Sequence, residues 1–475
     1  MDVTVSQPGA RRRMRIATVI VVLAAVVVAA FAYAEFFKTA PAPAFASDED
    51  YFLYGSMGTE ETEGLPYWIW LVLPRIFPEY LPSPGGYGAV GVLGADGREM
   101  PIGFSKVRIG VERVGVNCAL CHTGSYRLRA DEPRTIVPTA PAHQFAPQLY
   151  LKFLSDCASD PRFNADVILQ EIAKNYSLSL ADRIAYRFFI IPSTRRTLLA
   201  RRAALAWSNN RPAWGHGRMD LVDAMRFGPL RQPVNASVAT SDLPPIWNLG
   251  AHAGTARFWD GANTSLDQIV RASALGGDLD PAKLARVQRY ISNIKPPAYP
   301  LPIDRALAVQ GAPVFQAQCG SCHAPNGDRA GTPIPIAEVR TDPRRAQAWT
   351  ADTSARLNDI LLPDGTKLSG FRSTGGYVAV SLDGIWLRAP YLHNGSVPSL
   401  DDLLKPPAER PTVFWRGYDV FDPVAVGFVS RGDAAERNGT RIDTTQPGNG
   451  NGGHDYGTTL SPADKRALLE YLKTL

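Results

Sequence analysis

The sequence predicts a mainly α-helical protein with two folded domains behind an N-terminal transmembrane segment. Three observations predict this arrangement. An uncharged apolar run occupies residues 16–34, one five-residue cysteine motif occurs twice about two hundred residues apart, and helical periodicity is common where strand signals are sparse. A chain of 475 residues is long enough for two or three domains.

Composition and charge narrow the function classes. The chain is 45 % hydrophobic and 20 % charged, which is typical of a folded protein. Its net charge is +5, and four arginines lie within the first fifteen residues, namely Arg11, Arg12, Arg13 and Arg15. The remainder is therefore close to neutral, which argues against nucleic acid as a partner.

The apolar run from Ile16 to Ala34 follows this basic cluster directly. As a helix, a run of this length spans about 28 Å, close to the ~30 Å core of a bilayer. It exceeds the ~7–15 apolar residues of a signal peptide, which favours an uncleaved single-pass anchor over a signal sequence cleaved near Ala34. The chain from Glu35 onward then lies on the periplasmic side of the inner membrane, or is secreted to the periplasm if the signal is cleaved.

Four of the five cysteines belong to two copies of the pattern C-x-x-C-H. The copies are Cys118-Ala-Leu-Cys121-His122 and Cys319-Gly-Ser-Cys322-His323. On a helical turn, positions i, i+3 and i+4 share one face, so both thiols can form thioethers with a haem while the histidine reaches its iron. The pattern therefore predicts two covalently attached haem c groups, with His122 and His323 as proximal ligands.

Other chemistries of paired cysteines fit this pattern less well. A four-cysteine zinc site does not need a histidine after both pairs. A thioredoxin-type redox pair lacks its βαβ setting, and structural disulfides need no histidine. The fifth cysteine, Cys157, is predicted to be a small buried core residue, with a reactive thiol as the alternative.

The spacing of the two motifs divides the chain. Residues 1–38 are the cytoplasmic basic tip and the anchor, residues 39–300 an N-terminal haem c domain with insertions, and residues 301–475 a C-terminal cytochrome c domain. The proline-rich stretch Lys295–Pro302 is the predicted linker. One helix is expected to lead into the second motif, and a last helix to begin after Ser461 as its N-cap. The predicted fold is thus mainly α, with two cytochrome c-like haem domains after an N-terminal transmembrane anchor or signal sequence.

Two further blocks accompany the motifs. Ala256–Leu266 reads A-R-F-W-D-G-A-N-T-S-L, and Leu387–Leu400 reads L-R-A-P-Y-L-H-N-G-S-V-P-S-L. In this order, the motifs and blocks resemble the bacterial di-haem cytochrome c peroxidase superfamily, which includes the di-haem enzyme that matures methylamine dehydrogenase and the haem c rubber oxygenases. The resemblance runs from about Val116 to the C-terminus. It implies a reactive N-terminal haem, a C-terminal haem that supplies electrons, and Trp259 between them, where the alternative is an ordinary core aromatic.

The chain departs from the peroxidases at the residues that would cleave peroxide. The Arg that follows F-W-D-G in those enzymes is Ala262 here, and their Gln position is Ile269. The stretch Gly276–Pro281 contains neither the Glu nor the Met of the family pattern. The acid–base pair of the peroxidases is therefore not visible, which weakens a peroxidase function.

Each haem iron has one further coordination position, which Met or His usually fills. No Met follows the second motif, so the candidates there are His454, in the loop G-N-G-N-G-G-H-D-Y-G, and His393. Glycines let the backbone approach a haem face closely, and the rubber oxygenases take this ligand from near their C-terminus, so His454 is favoured over His393. For the first haem, an iron without a protein ligand and five side chains all remain open: His143, His216, His252, Met219 and Met225.

These expectations combine into an exported di-haem c-type cytochrome that acts in electron transfer. Its partners would be the membrane, through the anchor, and a redox partner protein or small-molecule electron donor. Peroxidase-like chemistry at the N-terminal haem would make it an oxidoreductase. The alternatives are a pure electron-transfer cytochrome without substrate turnover and a dioxygen-using haem c oxygenase.

Overall fold

The computed structural model describes residues 15–23, 26, 43–277 and 279–475. The structure is 42 % helix and 12 % strand. From residue 43 onward, the α-helices of eight or more described residues are Tyr67–Ile76, Pro147–Ser159, Ala165–Ala173, Ile191–Leu205, Leu266–Ser273, Pro281–Asn293, Arg305–Gln318, Ala351–Asn358 and Pro462–Leu472. The shorter ones are Asp48–Tyr54, Thr59–Thr62, Leu180–Ala185, Leu221–Phe227, Gly320–His323, Ile336–Val339, Arg344–Ala348, Leu400–Leu403 and Asp433–Asn438.

The strands pair in small antiparallel sheets. The three-stranded sheet has the order Leu65–Pro66, Val111–Val116, Phe104–Ile109. The two-stranded sheets pair Thr123–Tyr126 with Thr135–Pro138, Arg218–Met219 with Ser241–Asp242, Pro333–Pro335 with Gly376–Val378, Val413–Arg416 with Thr440–Asp443, and Phe421–Asp422 with Gly427–Phe428. Strands of two to six residues are too short for an alternating pattern to be recognised, which is why the mainly α expectation understates them.

The N-terminal segment is where the structure departs from the predicted anchor. Residues 15–23 and 26 are helical, while 1–14, 24–25 and 27–42 lie outside the described residues. In the described part of the chain, no helix is both long and apolar enough to cross a membrane. This finding contradicts the predicted single-pass anchor, the membrane as a partner through it, and the location at the inner membrane.

The hydrophobic cores do not separate into two cytochrome c-like domains. One core packs Val137 and Trp247 together with Leu468 from the C-terminal helix. Another core packs Val222 together with Trp349. Because residues from both sides of position 300 share these cores, the predicted pair of separate cytochrome c-like domains is wrong. The domain boundary at residue 300 stays a prediction.

Two helices form the scaffold of the second cysteine motif. Arg305–Gln318 leads into the motif, and Pro462–Leu472 packs along it. The predicted N-cap of the last helix is confirmed, because Ser461 Oγ accepts a hydrogen bond from the backbone N–H of Asp464 at 3.1 Å. The buried leucines of this helix are Leu468, Leu469 and Leu472.

The close packing of these two helices depends on Gly311. A Cβ at this position would overlap the backbone carbonyl oxygen of Ala467. On the same helix, Phe315 is buried in one core with Leu468. The missing side chain thus lets the C-terminal helix lie directly against the helix that ends at the second motif.

Candidate haem-binding sites

The first motif forms a single helical turn at the end of a β-strand. Asn117 caps the turn, since its side-chain oxygen accepts from the N–H of Ala119 at 3.0 Å. The carbonyl of Cys118 then accepts from the N–H of Cys121 at 3.3 Å and from that of His122 at 3.0 Å. This turn brings the two predicted thioether positions and the predicted iron ligand to one face.

The second motif repeats this turn. The carbonyl of Cys319 accepts from the N–H of Cys322 at 3.2 Å and from that of His323 at 2.9 Å. Here the preceding element is a helix, whereas a strand precedes the first motif. The same local geometry therefore arises in two different settings, which indicates that the motif itself determines the turn.

The two motif histidines also have the same hydrogen-bond arrangement. His122 Nδ1 donates to the carbonyl of Pro244 at 2.8 Å, and His323 Nδ1 donates to the carbonyl of Val380 at 2.8 Å. A carbonyl can only accept, so each Nδ1 carries the proton and each Nε2 keeps a free lone pair. Burial lowers the pKa of His122 to about 4 and also lowers the pKa of His323, which keeps both rings neutral. This is the arrangement of histidines that bind a metal through Nε2.

A pocket opens beside the second motif. It contains about 1410 Å³ of space that protein atoms do not fill, and part of this space is open to solvent. The walls are mainly apolar, with Ile334, Val339, Val378, Leu382, Ile385, Leu400, Leu403 and Leu404 among them. A pocket with mainly apolar walls that is also lined by Cys319, Cys322 and His323 is suited to a haem c.

His454 faces His323 across this pocket. The centroids of the two imidazole rings are 6.2 Å apart. Two metal–nitrogen bonds of about 2 Å, with about 1 Å more from each nitrogen to its ring centre, add up to about 6 Å. The separation thus fits one metal ion bound by both rings. Burial lowers the pKa of His454 to about 3, with smaller contributions from His323 and Arg410, so the ring is neutral.

The backbone of the glycine-rich loop places His454 at the pocket. The N–H of His454 donates to the carbonyl of Val339 at 2.8 Å, and His454 itself has a left-handed conformation with φ of 49°. Gly453 precedes it with φ of 68°, and a Cβ there would overlap the backbone of Arg340. A glycine is therefore required directly before the histidine.

Arg410 holds the same loop from the other side. Its guanidinium donates to the carbonyls of Asn451 and Gly453 at 2.7 Å each, and to that of His454 at 3.1 Å. The side chain is buried, and two further carbonyls accept from it, that of Leu403 from Nη2 and that of Lys405 from Nε. The guanidinium of Arg410 thus holds the backbone of the loop that carries His454.

His393, the rival candidate, also borders the pocket. Its ring is buried and stacks on Tyr377, with centroids 3.8 Å apart and planes inclined by 15°. The structure therefore brings both predicted sixth-ligand candidates to the pocket. The ring opposite His323 is that of His454.

Trp259 lines this pocket as well and connects it to the first motif. Its indole Nε1 donates to the carbonyl of Asp242 at 2.8 Å. Two residues further along the chain, the carbonyl of Pro244 accepts from His122. Three consecutive residues therefore link the tryptophan predicted to lie between the haems with the histidine of the first motif.

The surroundings of the first motif are apolar. Cys118 packs against a core that includes Val270, Leu284 and Val287. The histidines proposed as sixth ligands each have a partner: His143 stacks on Phe428 at 3.8 Å, His216 Nδ1 lies 2.7 Å from Thr440 Oγ1, and His252 Nε2 lies 2.7 Å from Asp383 Oδ2. Met219 and Met225 pack against hydrophobic cores.

The other cysteine chemistries do not fit this structure. All five cysteines are free of disulfides, and no cluster of three or more metal-binding side chains occurs within the described ranges. Burial raises the pKa of Cys118 to about 11, whereas a reactive redox thiol needs a lowered pKa. Cys157 is fully buried, which confirms its prediction as a core residue.

Three groups at these sites were not foreseen from the sequence. The carbonyls of Pro244 and Val380 orient the motif histidines, and a backbone carbonyl has no signature in a sequence. Arg410 stands in the polar stretch K-P-P-A-E-R-P, which reads as an exposed loop. Its carbonyl acceptors come from positions up to 44 residues away, so local pattern could not find it.

Relatives of this chain occur in Sinorhizobium fredii. The chain is 31 % identical to the uncharacterized protein y4iM over 302 residues, which cover 53 % of this chain and 68 % of y4iM. The chain belongs to the y4iM family. The uncharacterized protein y4iJ is 32 % identical over 261 residues, which cover 41 % of this chain and 43 % of y4iJ. The chain thus spans less than half the length of y4iJ.

A family model described as RoxA-like, cytochrome c-like matches residues 376–416. The matched range includes Val380, His393 and Arg410, which border or hold the pocket of the second motif. This match supports a c-type cytochrome, and a cytochrome c-like domain implies covalently bound haem c. The match supports a RoxA-like haem c protein and not the wider peroxidase superfamily. Both C-x-x-C-H motifs lie outside the matched range.

Proposed function

We propose that this chain is an exported di-haem c-type cytochrome that transfers electrons and reacts with a small oxidant at its N-terminal haem. The observation that carries the proposal is the repeated geometry of the two motifs, each a single turn with a histidine whose Nδ1 donates to a carbonyl at 2.8 Å. Export is part of the proposal because haem c is attached outside the cytoplasm. Bound haem supplies an iron that exchanges single electrons and, where a coordination position is free, can bind an oxidant.

In this proposal each motif holds one haem. Cys118 and Cys121 provide the thioethers of the first and Cys319 and Cys322 those of the second, with the following histidines as proximal ligands. His454 provides the sixth ligand of the second haem, which its distance from His323 supports. Two imidazole ligands leave no position for an oxidant, so the second site would serve electron transfer alone.

Dioxygen is the oxidant that the chain's residues favour. The RoxA-like match supports an oxygenase, and the apolar core around Cys118 suits a small apolar molecule. The acid–base pair of the peroxidases is not visible, because their Gln position is Ile269 here and Gly276–Pro281 contains no Glu. Trp259 contributes by joining the second pocket to the segment that orients His122.

A pure electron-transfer cytochrome is the second candidate. The observation that favours it is the position of His454 opposite His323. If this chain provides two histidine ligands for the second haem iron, it can also provide two ligands for the first. In that case one of the remaining histidines or methionines would be the sixth ligand of the first haem iron.

Haem content tests the proposal first. The mature protein should carry two haems by intact mass, and Cys118→Ala/Cys121→Ala and Cys319→Ala/Cys322→Ala should each carry one. Cys157→Ala is the matched control and should keep two. If the Cys118→Ala/Cys121→Ala variant has the same haem content as the wild type, the two-haem assignment fails.

Electron paramagnetic resonance of the ferric protein then separates the two candidates. One high-spin and one low-spin signal would mean an open first iron, and dioxygen and peroxide consumption with a reduced donor should follow. Consumption of dioxygen without appreciable peroxide turnover is the expected result. Two low-spin signals without consumption of either oxidant would leave the pure electron-transfer cytochrome.

A further inference from the structure

One wall of the pocket beside His323 is polar, although most of the lining is apolar. Thr341 and His393 line it, with only 4 % and 5 % of their surface exposed. Thr341 Oγ1 has no hydrogen-bond partner among the described residues. Tyr377 connects the two, because its ring stacks on His393 and its hydroxyl donates to the carbonyl of Asp342, the neighbour of Thr341, at 2.7 Å.

A buried arginine, Arg345, stands behind this wall. Its chain neighbour Ala346 donates its backbone N–H at 3.3 Å to the hydroxyl of Tyr377, whose ring stacks on His393. The carboxylate nearest to Arg345 is that of Asp260, at 3.4 Å. Neither oxygen of Asp260 accepts a hydrogen bond, and Arg345 Nε donates none within the described part of the chain. A buried ion pair needs good hydrogen bonds to offset the cost of desolvation. Asp260 therefore compensates the positive charge of Arg345 only in part.

The wall thus offers hydrogen-bond donors under a positive potential. A threonine hydroxyl and an imidazole N–H can both donate, and the guanidinium behind them favours an anion. A carboxylate is the ligand that such a site prefers. The arginine that lines the pocket itself, Arg388, has its terminal nitrogens on the carbonyls of Ser381 and Asp383, so only its Nε remains.

A haem brings two carboxylates into such a pocket, its propionate side chains. We infer that Thr341 and His393, backed by Arg345, bind a propionate of the haem attached at the second motif. The inference rests on the proposed function and deepens it, since it gives His393 a role other than iron ligand. It also explains why a histidine without a ring hydrogen bond among the described residues is buried beside the pocket.

Two conservative variants test the inference in the haem-loaded protein. His393→Phe keeps a ring on Tyr377 and removes the donor, and Thr341→Val removes only the hydroxyl. In both, the reduction potential of the second haem should fall, because the negative charge of the propionate is less compensated. The propionate bending band in the resonance Raman spectrum should shift, while haem content and the low-spin signal stay. The double variant should shift less than the sum of the single variants, since both donors serve one carboxylate.

Tyr456→Phe is the matched control, because it also removes one hydroxyl from the lining of the same pocket. It should leave the potential and the bending band unchanged. An unchanged band and potential in both test variants would overturn the inference. A high-spin second haem in His393→Phe would also overturn it, because His393 would then be the iron ligand. A potential that responds to added acetate would indicate a site for free carboxylates instead. If the wild type carries fewer than two haems, the proposed function fails before this question arises.

Discussion

The imidazole rings of His323 and His454 face each other with their centroids 6.2 Å apart. One ring belongs to a one-turn helix and the other to a glycine-rich loop near the C-terminus. Separate groups orient them, since the carbonyl of Val380 fixes the first ring while the carbonyl of Val339 and the side chain of Arg410 hold the backbone of the second. The spacing for a metal ion is therefore built into the protein and does not require the loop to move.

Replacing His454 with Ala should convert the second haem from low-spin to high-spin while it stays attached. The reason is that this change removes the ring that faces His323 and leaves both thioethers in place. Electron paramagnetic resonance of the ferric protein measures the change. His454→Met is the matched control, because a methionine can still bind iron and should keep a low-spin signal at a higher potential. An unchanged low-spin signal in His454→Ala would contradict the assignment, and His393→Ala should then be examined.

Replacing Arg410 with Ala should loosen the loop without removing its ligand. The five carbonyl acceptors of the guanidinium would lose their donor, and a lost hydrogen bond to a charged group costs about 1.5–3 kcal/mol. We expect a mixture of high-spin and low-spin second haem and a lower stability to denaturant. Arg410→Lys should behave similarly, because an ammonium cannot reach several carbonyls as a planar fork does. A fully low-spin Arg410→Ala protein of wild-type stability would contradict this role.

Part of this architecture could be predicted from the sequence, for reasons that individual residues make clear. The turn at Cys319 and the cap at Ser461 are local features, so their patterns suffice. The carbonyls of Val380 and Pro244 come from distant segments and carry no signature of their own. The predicted anchor was inferred from an apolar run behind a basic cluster, and no helix among the described residues is long and apolar enough to cross a membrane.

The expectation of two separate cytochrome c-like domains failed for a physical reason. Duplicated motifs indicate duplicated sites, but they do not determine how the remaining chain packs. Val137 lies fifteen residues after His122 of the first motif and is nevertheless buried with Leu468 of the last helix. Core membership depends on contacts between segments that no periodicity connects.

Replacing Gly311 with Ala should destabilise the protein, although alanine is the better helix former. Helix propensity alone predicts that the free energy of unfolding increases by about 1 kcal/mol. The new Cβ would overlap the carbonyl oxygen of Ala467, and overpacking of this kind costs about 1–3 kcal/mol. We expect a lower midpoint of urea unfolding, with an altered second haem because this helix leads to Cys319. Gly94→Ala is the control, since a Cβ there meets no atom within 4 Å. A Gly311→Ala protein as stable as the wild type would contradict the close packing.

Replacing Trp259 with Phe should slow electron exchange between the two haems while both stay attached. Phenylalanine keeps most of the aromatic volume but loses the indole N–H that donates to Asp242. Flash photolysis or pulse radiolysis can measure the exchange rate. Trp247→Phe is the matched control, because its indole Nε1 donates to the carbonyl of Asp383 instead. Equal exchange rates in the wild type and Trp259→Phe would remove the bridging role.

The ion pairs of Asp419 should give the protein a pH-dependent stability. This carboxylate is 2 % exposed and accepts from Arg127 and Arg134 at 2.6 Å each and from Ser125 at 3.1 Å. Burial alone would raise the pKa of Asp419, but Arg134 and Arg127 outweigh it and lower the pKa below its usual value of 3.8. The bonds join the hairpin after the first motif to the strand at Phe421.

The sign of this effect follows from the lowered pKa. A carboxyl whose pKa is lower in the folded than in the unfolded state stabilises the protein above the unfolded value, and this contribution is lost as the pH falls through the folded value. Asp419→Asn should therefore lower the stability at neutral pH by about 1–3 kcal/mol and flatten its decline below about pH 4. Asp131→Asn is the control, because its pair with Arg129 is largely exposed and contributes at most about 1 kcal/mol. Urea unfolding across this pH range measures the free energy of unfolding of both variants. If the stability of Asp419→Asn still falls steeply in acid, other carboxyls cause the decline and the prediction is wrong.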